Sequence, residues 1–380
     1  MKKEFTRREF IKTAGKGLSL LALFSGAVRF DAPARAAAGE TLYANDLLRG
    51  EDQLKVIFLD KKHEEKSDCF IIMYLSQSGL DIILHDGGFD DGHSYTALGN
   101  LRREILEKAN IPTADQGKYR LNLKLVISHF HTDHVQALNG TILMSKRFAV
   151  TEAYIPQKTC LVQGVYDDRE NSDLRERVTF LHMMKTYHPD AMIRVLDWGE
   201  TCLVPTEIGK VQLFAQTEDW GKEEKLGMFK NNYGYKGRYN EGEAIPICVL
   251  NANCLWMRVA LSDHSFLFTG DVEKRITVRR DEPLDSFIDA YGEDLRSDII
   301  KYPHHGQMRA AAAGSIKRSL ITQKEEALCI LTASDGKDDA GYALNRLSMP
   351  WLDLENGSLF FTVKDGKLTR EVVQKAKSFL

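Results

Sequence analysis

Three imidazoles and a carboxylate fall within six residues at Ser128-His129-Phe130-His131-Thr132-Asp133-His134, directly after the apolar run 121–128. Packing needs no such cluster, and neighbouring histidines repel one another once protonated. Borderline metals such as zinc take nitrogen and oxygen donors in this mixture. His129 and His131, two residues apart, can reach one ion, while Asp133 and His134 turn toward a second. The competing reading is a coincidental polar turn. It is weakened by the position of the run at a strand end, where loops carry sites.

H-x-H-x-D-H after a strand resembles the signature of the metallo-β-lactamase superfamily, and further stations of that family recur in order. His85-Asp86-Gly87-Gly88 resembles its first motif, whose Asp orients the metal-binding loop from behind the ligands. Phe268-Thr269-Gly270-Asp271 resembles the fourth, whose Asp bridges two metals. Lys301-Tyr302-Pro303-His304-His305-Gly306 resembles the fifth, which supplies a late His ligand. Each short motif is weak alone; four in order, each after a strand, are strong. Within the superfamily the chain is most similar to the hydrolase domain of the DNA-uptake protein ComEC and its soluble relatives. That similarity rests on residues 54–60, 67–72, 83–88, 251–254 and 303–306, and runs from about residue 54 to the C-terminal hairpin.

The resemblance implies an α/β fold of the αββα type, two mixed sheets flanked by helices, with a dinuclear centre of two divalent ions. Zinc is the first expectation; manganese and iron suit the same donors. His129, His131 and Asp271 would hold one ion, and Asp133, His134, Asp271 and His305 the other, with Asp133 and Asp271 as the catalytic carboxylates. The chemistry so implied is hydrolysis: two cations sharing a water lower its pKa and present it as hydroxide to a phosphorus or carbonyl centre. Two departures stand out. The third motif's His, about twenty residues before the bridging Asp, is missing; Asn253 is the nearest match, and His264 sits too close to Asp271 and reads as the cap of a hairpin turn. The first ion would then lack an imidazole, keep an extra water, or recruit His304. His305, immediately before Gly306, is the preferred ligand of the second. His134 is also followed by Val-Gln-Ala-Leu in place of Gly-Gly, so the helix after it is expected to start differently.

The elements that must position these residues follow a strand-rich pattern with helices between. Residues 54–60, 69–76, 81–85, 121–128, 211–216, 254–260, 265–269, 298–302, 328–332 and 359–363 read as short buried strands. Residues 94–109 carry apolar side chains at helical spacing and stop before Pro112. Residues 135–195 read as mixed but mainly helical, with 167–177 as a solvated face. Strands, then helix, then strands, twice over, give two sheets feeding loops to one shared edge, with no linker to divide residues 39–380. The stretch 219–245 interrupts this pattern. It is Gly-rich and interleaves Phe229, Tyr233, Tyr235 and Tyr239 with Lys230, Lys236 and Arg238, which suits either a nucleotide-holding insertion or a plain surface loop. His63, His93, His182 and His188 are expected at the surface, and His85 as a structural residue beside the site.

Residues 1–38 read as an export signal: a basic start, the apolar segment Gly17–Val28, and a small-residue segment ending in Ala36-Ala37-Ala38. Thr6-Arg7-Arg8-Glu9-Phe10-Ile11-Lys12 resembles the twin-arginine motif, an address read by the export machinery and not an anchor. A periplasmic or extracellular protein without stable membrane insertion is the expectation. Cutting there removes 8 basic and 3 acidic residues, leaving 43 and 51 and a net charge of −8. Such a body suits small molecules or short nucleic acids better than long duplex. The six cysteines form no CxxC pair and read as buried thiols, with Cys248 and Cys254 as the one pair close enough in sequence to test for a disulfide. For substrate, the resemblance points to phosphodiesters or nucleotides. Cyclic amides or esters (lactones, β-lactams) are the alternative within enzymes. A non-catalytic metal-binding module using the 219–245 loop is the alternative outside them.

Overall fold

The computed structural model describes residues 29–30, 41–60, 68–89, 92–158, 172–207, 209–220, 251–272, 283–306, 327–332, 340–354 and 357–374. The first half runs β1 (Arg29–Phe30), β2 (Leu42–Tyr43), β3 (Leu48–Arg49), β4 (Gln53–Phe58), β5 (Phe70–Leu75), β6 (Leu80–His85), α1 (His93–Lys108), β7 (Tyr119–Val126), α2 (Thr132–Ala137), β8 (Phe148–Pro156), α3 (Ser172–Tyr187) and β9 (Met192–Leu196). The second runs β10 (Thr201–Val204), β11 (Lys210–Phe214), β12 (Trp256–Leu261), β13 (His264–Phe268), α4 (Pro283–Tyr291), β14 (Ile299–Lys301), β15 (Leu328–Leu331), α5 (Tyr342–Arg346) and β16 (Trp351–Asp353). A final hairpin, β17 (Gly357–Lys364) and β18 (Lys367–Gln374), returns to the first sheet beside β4.

Among the described residues the first sheet has the order β18-β17-β4-β5-β6-β7-β8-β9, with β2 added to β7, and the second the order β10 through β16. Both are mixed. From β4 to β6 neighbours are antiparallel and from β6 to β9 parallel; from β10 to β13 antiparallel and from β13 to β16 parallel.

Strands covered on both faces need apolar side chains at nearly every position, and this is why the runs 54–60 and 69–76 show no alternation. Their side chains still divide by parity. Ile71, Met73 and Leu75 face α1 and α3 in an outer core, while Phe70, Ile72 and Tyr74 face the second sheet. On the second sheet Met257, Val259, Phe266 and Phe268 point inward, and Trp256, Leu267 and Ile300 pack outward on α4. Three apolar layers between four layers of structure make the αββα sandwich. Phe58, Phe70, Phe268 and Phe361 meet between the sheets with ring centroids 4.9–5.7 Å apart. Each fully buried ring of this kind stabilises the fold by about 1.5–3 kcal/mol.

Several expectations need correction. Residues 148–156 form a nine-residue strand inside the stretch read as mainly helical, and β9 and β10 were not expected. β9 is an edge strand whose residues are mostly exposed or half-buried, so it lacks the apolar run that marks a covered strand. His188 is buried, not superficial: its Nδ1 accepts from Val150 N–H at 3.3 Å and its Nε2 donates to Leu143 O at 2.9 Å, just past the end of α3. His93 is half-buried with Nε2 2.9 Å from Asp60 Oδ1, whereas His182 is exposed. His264 begins β13 opposite Leu261, after the two-residue turn Ser262-Asp263. After the H-x-H-x-D-H run, α2 gives way at its C-terminal end to a π-turn over Leu138–Ile142.

Cys69, Cys202, Cys254 and Cys329 are buried thiols, and Cys254 Sγ accepts the Asp271 N–H at 3.3 Å. His63, Cys160, Cys248, most of 1–38 and residues 221–250, which include the 221–245 part of the Gly-rich stretch, lie outside the described residues. Among the described residues no helix is long and apolar enough to cross a membrane.

Candidate metal centre

The chemistry-bearing loops leave the carboxyl ends of two parallel pairs, β6 and β7 in the first sheet and β13 and β14 in the second. Ligand sites of open α/β sheets lie at such ends. The four loops are stitched together by backbone. Gly87 and Gly88 N–H both donate to His134 O, which fixes the first-motif turn on α2. A Cβ at Gly87 would stand 2.5 Å from Leu138 Cγ, so only glycine allows this approach. Across the sheets, Leu255 N donates to Ser128 O at 2.8 Å, and at the carboxyl end of the second sheet His304 N donates to Gly270 O at 3.2 Å. Asp86, His304 and His305 all have positive φ (54°, 49° and 57°), a conformation that costs a non-glycine residue of order 1–3 kcal/mol. The strain falls on three of the residues singled out from the sequence.

His134 and His305 converge on Asp271. Their Nε2 atoms lie 3.3 and 3.1 Å from Asp271 Oδ2, and Asp133 Oδ2 is 3.2 Å from His305 Nε2. His129 and His131 form a second group with the same carboxylate, all donor atoms within 4.8 Å of one another. Behind His134, Asp86 Oδ2 meets Nδ1 at 2.8 Å, and Asp86 also accepts from Ser128 N–H and Oγ–H at 2.8 and 2.7 Å. Asp86 thus fixes the ring so that Nε2 faces the cluster.

These residues fit a cation. The Nε2 atoms of His129, His134 and His305 are buried and make no hydrogen bond. Those of His134 and His305 have the distance of a hydrogen bond to Asp271 without its direction. An orphaned buried imidazole nitrogen is costly unless something else meets its lone pair. The charges agree. Burial alone would lower His305, but Asp271, Asp68 and Asp133 push it up to about 10, and His134 rises for the same reason through Asp271, Asp133 and Asp86. Burial alone would raise Asp271, yet His305, Lys301 and His134 hold it well below the usual carboxylate range. The pocket is anionic and rewards positive charge on its nitrogens. His129 differs: burial and then His134 and His131 push it well below its ordinary value, so it presents a neutral lone pair.

No protein-family model matches the chain, and no curated protein matches it. Solved structures do. Unliganded yeast PDE1 aligns at 12% identity over 81% of this chain and 99% of its own, with a TM-score of 0.45. A long-form RNase Z from yeast aligns at 10% identity over 86% of this chain and 50% of its own, at 0.35. The metallo-β-lactamase MIM-2 aligns at 13% over 74% and 87%, at 0.28. Likeness this distant transfers neither activity nor ligands.

Asn253, the stand-in for the missing His, is buried and turned to other work: its Oδ1 accepts Trp220 N–H at 3.2 Å and its Nδ2 donates to Asp219 Oδ1 at 3.3 Å. His304 lies at the mouth, 24% exposed, with Nε2 3.9 Å from Asp271 Oδ2. His85 is fully buried with its ring against Phe70 and Phe268, 3.4 Å from Asp86, as part of the floor.

Sequence reasoning missed two residues. Asp68 precedes β5, and its Oδ1 lies 3.1 Å from His305 Nδ1. Lys301 ends β14, and its buried Nζ lies 2.5 Å from Asp68 Oδ2, 3.1 Å from Asp271 Oδ1 and 2.6 Å from Gly270 O. A signal was present: a charged residue closing the apolar run Ile299-Ile300 is out of place unless it is paired.

Proposed function

We propose that the chain is an exported metal-dependent hydrolase acting on phosphodiester or nucleotide-type substrates. The observation that carries the reading is the convergence of His134 and His305 from different sheets on Asp271, with His129 and His131 within reach of the same carboxylate. The phosphodiester preference is supported by the resemblance to the ComEC branch, and export by residues 1–38. The net charge of −8 after such processing favours small or short substrates.

Divalent cations at these donors supply Lewis acidity, acidifying a water and neutralising charge on phosphoryl oxygens. The chain's own groups do the rest. Asp133 is the carboxylate of the set that reaches solvent, its side chain 23% exposed against 2% or less for Asp68, Asp86 and Asp271. Burial would raise it, but His134 and His305 hold it ionised, so it accepts a hydrogen bond from an attacking water and orients it instead of storing a proton. His304, pushed down to about 4 mainly by burial, is neutral at pH 7 and offers one ring nitrogen at the mouth.

Elemental analysis of the purified protein, with a turnover screen against phosphodiester, lactone and β-lactam reporters, tests this reading. Divalent metal and phosphodiester turnover are expected, and both should be lost in His131→Ala and Asp271→Ala. Full activity with metal retained in either variant ends the model. Turnover of lactone or β-lactam alone replaces the substrate class, and metal without turnover on any reporter leaves a binding module. Arg7→Lys/Arg8→Lys should strand the protein in the cytoplasm; unchanged export removes the twin-arginine assignment.

A further inference from the structure

Asp68, His134, Asp271 and His305 each present a donor atom within 4.8 Å of the others, so by distance alone Asp68 is a fourth ligand. Direction says otherwise. Asp68 Oδ1 stands 3.1 Å from His305 Nδ1, where Thr332 Oγ also stands at 3.0 Å. The same ring's Nε2 faces Asp271 and Asp133 at 3.1 and 3.2 Å. The two nitrogens of an imidazole diverge, so Asp68 lies behind the ring and the other two carboxylates in front of it. Its second oxygen, Oδ2, is held by the Lys301 ammonium.

The arrangement repeats the one at the other end of the site, where Asp86 stands behind His134. Lys301 Nζ donates to Gly270 O and Asp271 Oδ1 and makes an ion pair with Asp68 Oδ2 at 2.5 Å. Asp271 therefore keeps only Oδ2 for the side on which His134, His305 and His304 lie.

We infer that Asp68 and Lys301 are positioning residues of the metal centre, Lys301 withholding Asp68 Oδ2 and Asp271 Oδ1 from cations so that Asp68 orients His305 and Asp271 offers one oxygen. This rests on the metal-centre reading above. Asp68 fixes His305 with Nδ1 protonated and Nε2 outward, the orientation a metal-binding histidine takes from an outer carboxylate. Lys301 supplies the positive charge that lets Asp68 stay buried and off the ions. Because Asp68 comes from the first sheet and Lys301 and His305 from the second, the triad also sets how the two halves meet.

The test compares wild type, Asp68→Asn, Lys301→Met and the Asp68→Asn/Lys301→Met double variant as full-length chains. Zn2+ affinity is measured by chelator competition, bound metal by elemental analysis, and donor number from the visible spectrum of the Co2+-loaded protein. Asp68→Asn should weaken Zn2+ binding by about 10–100-fold with the metal count and the Co2+ spectrum unchanged. Lys301→Met should alter the Co2+ spectrum toward a higher donor number, because two carboxylate oxygens are released. The double variant removes both charges and keeps the shapes, so it reads the same roles if a single variant does not fold; it should lose Zn2+ affinity as Asp68→Asn does, while its Co2+ spectrum shifts by the one oxygen freed on Asp271. Loss of an ion, or of a donor in the spectrum, on Asp68→Asn makes Asp68 a ligand and overturns the assignment. Affinity within twofold of wild type in Asp68→Asn and in the double variant reduces the pair to a structural salt bridge and overturns it equally. A wild-type chain that binds neither Zn2+ nor Co2+ sinks the metal centre itself, and this assignment with it.

Discussion

Asp86 and Asp68 each stand behind one imidazole of the candidate centre, but their surroundings differ. Asp86 is balanced by neutral donors from the neighbouring loop, Ser128 N–H and Oγ–H, together with His134 Nδ1. Asp68 is balanced by a buried ammonium that comes from the opposite sheet. The first arrangement can be assembled within one half of the chain. The second exists only when both halves are in place. One end of the site is a local turn made rigid; the other is a joint between two sheets, with charge as the fastener.

Removing each carboxylate should therefore have unequal effects. Asp86→Ala removes the acceptor shared by three buried donors, leaving Ser128 Oγ only the His129 and His134 rings, and should lower unfolding free energy by about 3–5 kcal/mol, read by urea titration at pH 7 with a chelator present. Asp68→Ala leaves Lys301 with Asp271 and His305 Nδ1 with Thr332, so a smaller loss of about 1–3 kcal/mol is expected. Equal losses, or the reverse order, would break the contrast.

A second buried lysine sharpens it. Lys55 on β4 is buried, and although Glu371 acts to raise it, burial brings it down to about 7, whereas the carboxylates beside Lys301 hold that lysine above its ordinary value. In the unfolded chain a lysine titrates near 10.4. Between pH 7 and that value the unfolded state holds the proton and the folded state does not, so stability rises with pH, by at most about 1.4 kcal/mol per unit. Below pH 7 both states are protonated and the penalty is constant. Lys55→Met should abolish this rise, so its advantage over wild type, measured by urea unfolding at pH 6, 8 and 10, should shrink as pH increases. Parallel curves would show that Lys55 keeps an ordinary pKa.

The contrast also explains what could be read from the sequence. The Asp86 end was legible because its parts lie in two compact motifs, each following an apolar strand. The buried strands β4 to β6 and β13 to β15 were legible because residues covered on both faces leave a largely apolar run, and β7 because its apolar residues alternate with polar ones. The Asp68 end was not. Asp68, Lys301 and His305 come from distant segments, and only folding brings them together. Lys301 sat inside a motif already singled out, but its role depends on a carboxylate more than 200 residues earlier, a pairing no local pattern encodes. His188 failed in the opposite direction. A histidine beside a charged helix looked solvated, yet chain reversal after α3 tucked it against Leu143 and Val150. β9 escaped notice because an exposed edge does not require a continuous apolar sequence.

The return of the β17–β18 hairpin to β4 bears on how the molecule comes into being. Ser358 Oγ meets Asp60 N–H across 298 residues of chain, and β4 keeps one open flank until its late partner arrives. Contacts so remote in sequence form slowly. A nascent chain must carry Leu54, Val56 and Phe58 without their full cover through most of its synthesis. Closure of that flank is thus a natural checkpoint: for a protein proposed to leave the cell already folded, it separates a finished molecule from an unfinished one.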